Sequence, residues 1–232
     1  MAIRLICLDA DDTLWQNEAY FQRTRARLAE LLEPWAAAAA VEAHVEAVEH
    51  RNLPVYGYGA KGFALSMVEA AVELSGGAVS GTTMSRILDL GKEMLGHPVE
   101  LLDGVADALD ALAARGRLVL VTKGDLWHQE AKLAASGLGE RFAGVEIVSD
   151  KKAATYARIF ERYGVAPEEA VMAGNSMRSD ILPALEAGAW AAFVPFELCW
   201  SHEAADAPEG HERFVELGSL AELPGWVDSI GE

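Results

Sequence analysis

The stretch LICLDADDTLW, Leu5 to Trp15, runs four apolar residues straight into three carboxylates, Asp9, Asp11 and Asp12. A short, continuous apolar run reads as a strand covered on both faces. Two like charges about 4 Å apart repel by about 1 kcal/mol in water and about 4 kcal/mol near a protein surface. Carboxylates crowded at the end of a buried strand therefore need partners of opposite charge. That need directs the reading of the rest of the chain.

Downstream of this strand, taken as Ile3 to Leu8, the character changes. Glu18 to about Met94 reads as long helical stretches, among them the Ala-rich AAAAAVEAHVEAVEH, since Ala is the strongest helix former. Two segments break the region: NLPVYGYGAKGF (Asn52 to Phe63) and SGGAVSGTT (Ser75 to Thr83). After Pro98 strands and helices alternate. Helices are expected over Gly104–Arg115, Glu130–Ser136 and Thr155–Tyr163, the last closed by Gly164, and another runs to Glu186. Strands are expected at Leu118–Val121, Val145–Val148, Ala170–Ala173 and Ala189–Pro195, with RFVELGSL a weaker candidate. Such alternation implies a parallel sheet with right-handed crossovers, whose ligands sit beyond the carboxyl ends of the strands.

Four polar clusters follow those strands: DADDT, TKG, SDKK and GNSMRSD. Their set and order resemble the haloacid dehalogenase-like hydrolase superfamily. The Asp-x-Asp-x-Thr motif is met by Asp9, Asp11 and Thr13, and the following Ser or Thr by Thr122. Lys151 and Lys152 compete for the lysine. Lys151 is preferred, directly after Ser149–Asp150 and five residues before Tyr156. In the fourth motif the chain departs from the pattern: Asn175 stands at the first acidic position, while Asp180 keeps the second. The resemblance covers nearly the whole chain. It implies an α/β fold, a Rossmann-like three-layer parallel-sheet core over residues 1–16 and 97–232. It also implies an inserted α-helical cap over residues 17–96.

It further implies a Mg²⁺-dependent phosphatase acting on a small phosphorylated metabolite through an aspartyl-phosphate. Asp9 is then the nucleophile. Asp11 protonates the leaving oxygen and later activates water, while its backbone carbonyl binds the metal. Thr122, with Lys123 and Lys151, binds the phosphoryl group. Asp9, Asp11, Asp180 and Asn175 form the metal site, Asn175 orienting a metal-bound water. The residues alone agree with a hard cation, because Mg²⁺ prefers carboxylate, carbonyl and water oxygens.

Blander readings stand beside these. An Asp after a strand often caps a helix or makes a turn, and for Asp12 a solvated or capping side chain is the reading taken. Thr122 alone is a turn hydroxyl and Asp180 a helix-terminal carboxylate. Tyr56, Tyr58, Lys61 and Phe63 form either a substrate-sensing loop or a helix connection. Arg23 and Arg25 read as surface charges. Trp200, His202 and Glu203 are candidates for the mouth of the site, with no role assigned to His202.

Related reactions compete. A hydrolytic dehalogenase has no need of Asp11. A phosphonate-cleaving relative needs a cap lysine, for which Lys61 is the candidate, and a phosphomutase keeps the same motifs. Outside enzymes, a phospho-accepting receiver domain shares the residue types but not their order.

Composition bounds the rest. Apolar residues make up 51% of 232, enough for a large core. With 19 Lys and Arg against 36 Asp and Glu the net charge is −17, which argues against nucleic acid or an anionic membrane as partner. No apolar run approaches the ~18 residues of a membrane span, and Met1 to Leu8 lacks a signal-peptide pattern. Two cysteines, Cys7 and Cys199, make no disulfide framework, so a cytoplasmic location is expected. Oligomeric state is not legible.

Overall fold

The computed structural model describes residues 2–198 and 200–230; Cys199 lies outside them. The expected first strand is β1 (Leu5–Leu8), buried along its whole length. Four helices follow: α1 (Glu18–Leu32), α2 (Ala38–Tyr56), α3 (Ala60–Leu74) and α4 (Gly81–Leu95). Next come α5 (Val105–Ala113), β2 (Arg117–Lys123), α6 (Leu126–Ser136), β3 (Gly144–Val148) and α7 (Ala153–Tyr163). The chain then forms β4 (Ala170–Gly174), α8 (Leu182–Glu186), β5 (Trp190–Phe193), β6 (Phe214–Glu216) and α9 (Leu223–Ser229).

The six strands pair in parallel in the order β3-β2-β1-β4-β5-β6. This is the Rossmann-like arrangement, and its strand order reverses direction between β1 and β4, the place at whose carboxyl edge sheets of this kind bind ligands. Alternation along β1 splits the core in two. Ile6 and Leu8 join Val105, Leu109 and Leu112 of α5 and Leu223 and Val227 of α9. Leu5 and Cys7 face the other way, into Tyr156, Ile159 and Phe160 of α7 and Ala184 of α8. Burial pushes the Cys7 thiol up to about 12, so it behaves as a small apolar filler. Gly164 closes α7 in the left-handed conformation at φ +64°, as its position after Tyr163 predicts.

Contacts divide the chain into two compact units. The sheet unit comprises Met1–Gln16, Val99–Lys123 and Gln129–Glu232, and the helical unit comprises Asn17–Pro98 with Gly124–His128. The helical unit has its own core, in which Leu28 and Leu32 of α1 meet Val41, Val45 and Val48 of α2, Phe63 and Met67 of α3 and Ile87 of α4. Two expectations change here. The break expected over Asn52–Phe63 shrinks to Gly57–Gly59, because α2 continues through Pro54 to Tyr56. Pro54 sits in the last turn, where one lost N–H is outweighed by the packing of Val45, Val48 and Asn52.

Arg25 is not a surface charge. It lies between Glu18 (2.8 Å) and Glu49 (3.3 Å), with its guanidinium 5.2 Å from the Phe63 ring centroid. Its planar fork suits such a site better than a lysine would. Arg23 is exposed and stacks on Tyr20 at 4.6 Å. Among the described residues no helix is long and apolar enough to cross a membrane.

One guanidinium does not fully compensate two buried carboxylates. Burial raises Glu49 to about 7 against the pull of Arg25, with Glu18 and Glu46 adding to the rise. The folded state therefore holds a proton that an unfolded carboxylate loses near pH 4.5, and stability falls as pH rises through that window toward 7. Melting curves of Glu49→Gln and the unmodified protein should coincide near pH 4.5 and separate toward pH 7, the variant melting higher. Parallel curves would contradict this.

Candidate active site

The loop after β1 is built by its own sequence. The Asp9 N–H donates to the Ala173 carbonyl of β4 at 2.9 Å, seating Asp9 between the two strands. The Ala10 carbonyl then accepts from Leu14 at 2.8 Å, and Asp12 reverses the chain at φ +60°, a conformation that short polar side chains tolerate. Asp12 is thus buried at 7% exposure, contrary to the solvated side chain expected. The turn brings Thr13 inward to donate to Asp9 Oδ2 at 3.2 Å, and it aims the Trp15 indole N–H at Asp11 Oδ1 at 2.7 Å.

Two carboxylates meet one ammonium at the centre. Lys151 follows β3, is 1% exposed at its side chain, and donates both to Asp9 Oδ1 and to Asp180 Oδ1, the latter at 2.6 Å. Lys152 points outward, 75% exposed, and pairs with Asp150 at 3.0 Å. Burial alone would lower the Lys151 ammonium, but the charges of Asp180 and Asp9 reverse this and hold it protonated. Burial raises the Asp180 carboxyl, opposed by Lys151 and assisted by Asp9.

Asp180 lies on a π-helical turn, Met177–Ile181, where the Ser176 N–H donates to its Oδ2 at 2.9 Å. Such turns are frequent at functional sites. Gly174 makes room for it: a Cβ there would stand 2.2 Å from Asp180 Oδ2 and 2.9 Å from Asp9 Cβ.

Asp11 turns to a separate set of donors. Lys132 approaches both its oxygens, at 2.6 and 2.8 Å, and Gln129 approaches Oδ2 at 3.2 Å. The same Gln129 amide reaches Thr122 Oγ1 at 2.6 Å and the Lys123 carbonyl at 2.9 Å, linking the ends of β1 and β2. Burial would raise Asp11, but the Lys132 charge and the bonds from Lys132, Trp15 and Gln129 outweigh it and hold the carboxyl below its ordinary range.

Lys123 donates to Glu203 at 2.5 Å and to Ser179 at 2.7 Å. Burial would also raise Glu203, yet Lys123 and the Ser176 and Ser179 hydroxyls bring it to about 2.

Sequence reading missed Gln129, Lys132, Ser176 and Ser179. Gln129 and Lys132 stand three apart on α6, so they share a helix face, but a lone polar pair on an amphipathic helix carries no label. Glu203 was noted without a partner. Lys61, the candidate for Schiff-base chemistry, is ion-paired with Asp125 at 2.9 Å within the helical unit.

The fit of a cation rests on Asn175. Its amide is satisfied only with the nitrogen inward, donating to Asp9 Oδ2 (3.3 Å), Thr13 Oγ1 (3.2 Å) and the Asp11 carbonyl (3.1 Å). A neutral N–H thus stands beside a carboxylate and a carbonyl, with Asp180 close to the same strand end across Gly174. These are hard oxygen donors of the kind Mg²⁺ takes. Among the described residues no group of three or more Asp, Glu, His or Cys side chains is gathered into a ready ligand set, since Lys151 separates Asp9 from Asp180 and Asp11 turns to Lys132.

A parallel sheet with a carboxylate loop at its switch point defines a class, and sequence comparison gives the family. The family model described as haloacid dehalogenase-like hydrolase matches residues 3–188, and the chain belongs to that family and is a hydrolase. A solved haloacid dehalogenase-like hydrolase from Xanthomonas campestris is 38% identical, with TM-score 0.89 over 99% of this chain and 92% of that one. A 2-haloacid dehalogenase from Pseudomonas syringae is 22% identical, with TM-score 0.63 over 99% and 100% of the two chains, a likeness of fold. Mouse N-acylneuraminate-9-phosphatase is 27% identical over 169 residues, 70% of this chain and 66% of that protein, just under two thirds of its length.

Gly174→Ala tests the packing at the centre. The added methyl has to displace Asp180 or Asp9, and overpacking of this kind typically costs about 1–3 kcal/mol. Urea denaturation should show that loss. A variant as stable as the unmodified protein would mean that the two carboxyls move aside freely.

Proposed function

We propose that this hydrolase is a Mg²⁺-dependent phosphatase that cleaves a small phosphomonoester through an aspartyl-phosphate on Asp9. The observation that carries this reading is Asp11, held two residues from Asp9 by Lys132, Gln129 and Trp15. Halide leaves carbon as a stable anion and needs no proton, whereas an alkoxide leaving phosphorus does. A second carboxylate so firmly oriented suits the second reaction. The 27% identity to a phosphatase points the same way.

In this reading an Asp9 oxygen attacks phosphorus while the bond to the ester oxygen breaks. Lys132 holds the resting Asp11 carboxyl ionised, so Asp11 first takes the proton that the phosphomonoester monoanion brings in and then passes it to the leaving oxygen. Water then attacks the aspartyl-phosphate, Asp11 takes the water's proton, and inorganic phosphate departs with Asp9 regenerated. Thr122 binds the phosphoryl oxygens, and Lys151 offsets negative charge on Asp9 and on the phosphoryl group, the main requirement of phosphoryl transfer. Asp9, the Asp11 carbonyl and Asp180 would hold Mg²⁺, with Asn175 beside them. The cation supplies charge neutralisation for nucleophile and phosphoryl group. Lys132 and Gln129 keep the Asp11 carboxyl from rotating away from the leaving group. The helical insertion, residues 17–96, acts as the cap that selects the substrate.

Two outcomes follow. Hydrolysis of p-nitrophenyl phosphate should require Mg²⁺ and stop with chelator, and Asp9→Asn should abolish both turnover and acid-stable phosphate labelling. Full activity of Asp9→Asn would refute the assignment.

Lys132→Met should act on the proton step alone. Misplacing a positioned acid forfeits part of the roughly 10²–10⁴-fold it contributes, so hydrolysis of an alkyl phosphate should fall far more than that of p-nitrophenyl phosphate, whose leaving group departs unprotonated. Lys132→Arg should recover part of the loss. Equal losses on both esters would make Lys132 a purely structural residue.

A further inference from the structure

The steps above leave one polar cluster unused. Glu203 accepts from Lys123 through Oε1 at 2.5 Å, and through Oε2 from the hydroxyls of Ser179, at 2.5 Å, and Ser176. The Lys123 ammonium also reaches Ser179 Oγ at 2.7 Å, and the Ser179 N–H donates to Ser176 Oγ at 2.9 Å. The Lys123 and Glu203 side chains are only 11% and 15% exposed. Three of its four members adjoin a site residue in sequence: Lys123 follows Thr122, Ser176 follows Asn175, and Ser179 precedes Asp180. Glu203 is brought in from the segment after β5.

We propose that Glu203 is a specificity-determining residue: it occupies Lys123 with an internal carboxylate and so excludes phosphomonoesters that carry a second anionic group. The proposal rests on the phosphatase reading and narrows its substrate class to phosphate esters of neutral alcohols.

Three lysines are drawn into this edge of the sheet, and each is paired with a carboxylate: Lys151 with Asp9 and Asp180, Lys132 with Asp11, Lys123 with Glu203. Lys123 is the one that reaches Ser179, the residue before Asp180, from the end of β2. Without Glu203 its ammonium would attract a substrate carboxylate or second phosphate. With Glu203 in place the same position presents matched charge whose hydrogen bonds are already made. A second anion there meets a like charge, which is how interfaces reject wrong partners.

Two unreactive probes, methylphosphonate and phosphonoacetate, differ by a carboxylate. Their affinities are measured calorimetrically with Mg²⁺ for the unmodified protein, Glu203→Gln, and the double variant Lys123→Met/Glu203→Gln. The unmodified protein should bind methylphosphonate more tightly. Glu203→Gln should shift the affinity ratio toward phosphonoacetate by about tenfold or more, the scale of removing one like-charge contact. The double variant should lose that shift. An unchanged ratio in folded Glu203→Gln, or a shift that survives loss of Lys123, overturns the proposal. Should Glu203→Gln fail to fold, the unmodified protein decides: phosphonoacetate bound at least as tightly as methylphosphonate overturns it. If the unmodified protein neither binds the phosphonates nor hydrolyses p-nitrophenyl phosphate, the phosphatase reading fails and takes the proposal with it. Hydrolysis with an unmoved ratio sinks the specificity proposal alone.

Discussion

The Lys151 ammonium, shared between Asp9 and Asp180, is the contact on which the edge of this sheet depends. Its carboxylates come from the ends of β1 and the turn after β4, and the lysine itself from the end of β3. Removing one partner of such a buried group typically costs about 3–5 kcal/mol, since an uncompensated charge stays behind. The flanking features serve the same contact. Gly174 withholds a side chain so that Asp180 can approach, and the Ser176 N–H fixes the remaining Asp180 oxygen. The β1–β4 hydrogen bond to Ala173 sets where Asp9 begins.

Around that centre the charges fall into pairs of distinct purpose. Asp9 and Asp180 share a cation that belongs to the protein, and their second oxygens accept from the Thr13 hydroxyl and the Ser176 N–H. Asp11 is removed from this group and given Lys132, Gln129 and Trp15 as neighbours. Two carboxylates two residues apart thereby acquire different environments, and so different chemistry, from local geometry alone. In a chain whose net charge is −17, three lysines are concentrated where the strands end, each set against a carboxylate.

The strands and the motifs at their ends were legible because apolar runs, turn residues and chemistry-bearing side chains coincide within a few positions. Lys151 was separable from Lys152 by spacing to Tyr156, and Tyr156 does pack beneath the site, its hydroxyl on the Ser179 carbonyl at 3.0 Å. What remained hidden lies in long-range pairing. Nothing local marks Lys132 as a neighbour of Asp11, or Glu203 as a neighbour of Lys123. The same holds for Arg25, whose burial depends on Glu49 arriving from the next helix. Asp12 was misread because its burial follows from a backbone reversal at φ +60°, which composition does not announce. Pro54 misled by suggesting a break where tertiary packing carries the helix onward.

The pairing of β1 has a consequence for how the molecule comes into being. Leu5 pairs with Arg117 on one side and Ala170 on the other, so β1 leaves the ribosome well before either of its partner strands. Contacts so distant in sequence slow folding, because chain entropy is lost before they repay it. The four helices between have a core of contacts close in sequence and can mature earlier. Until β2 and β4 arrive, Leu5–Leu8 is a bare apolar template with two open edges, the kind of segment that recruits chaperones or aggregates. The nucleophile proposed at its end is thus synthesised long before the strands that hold it in place.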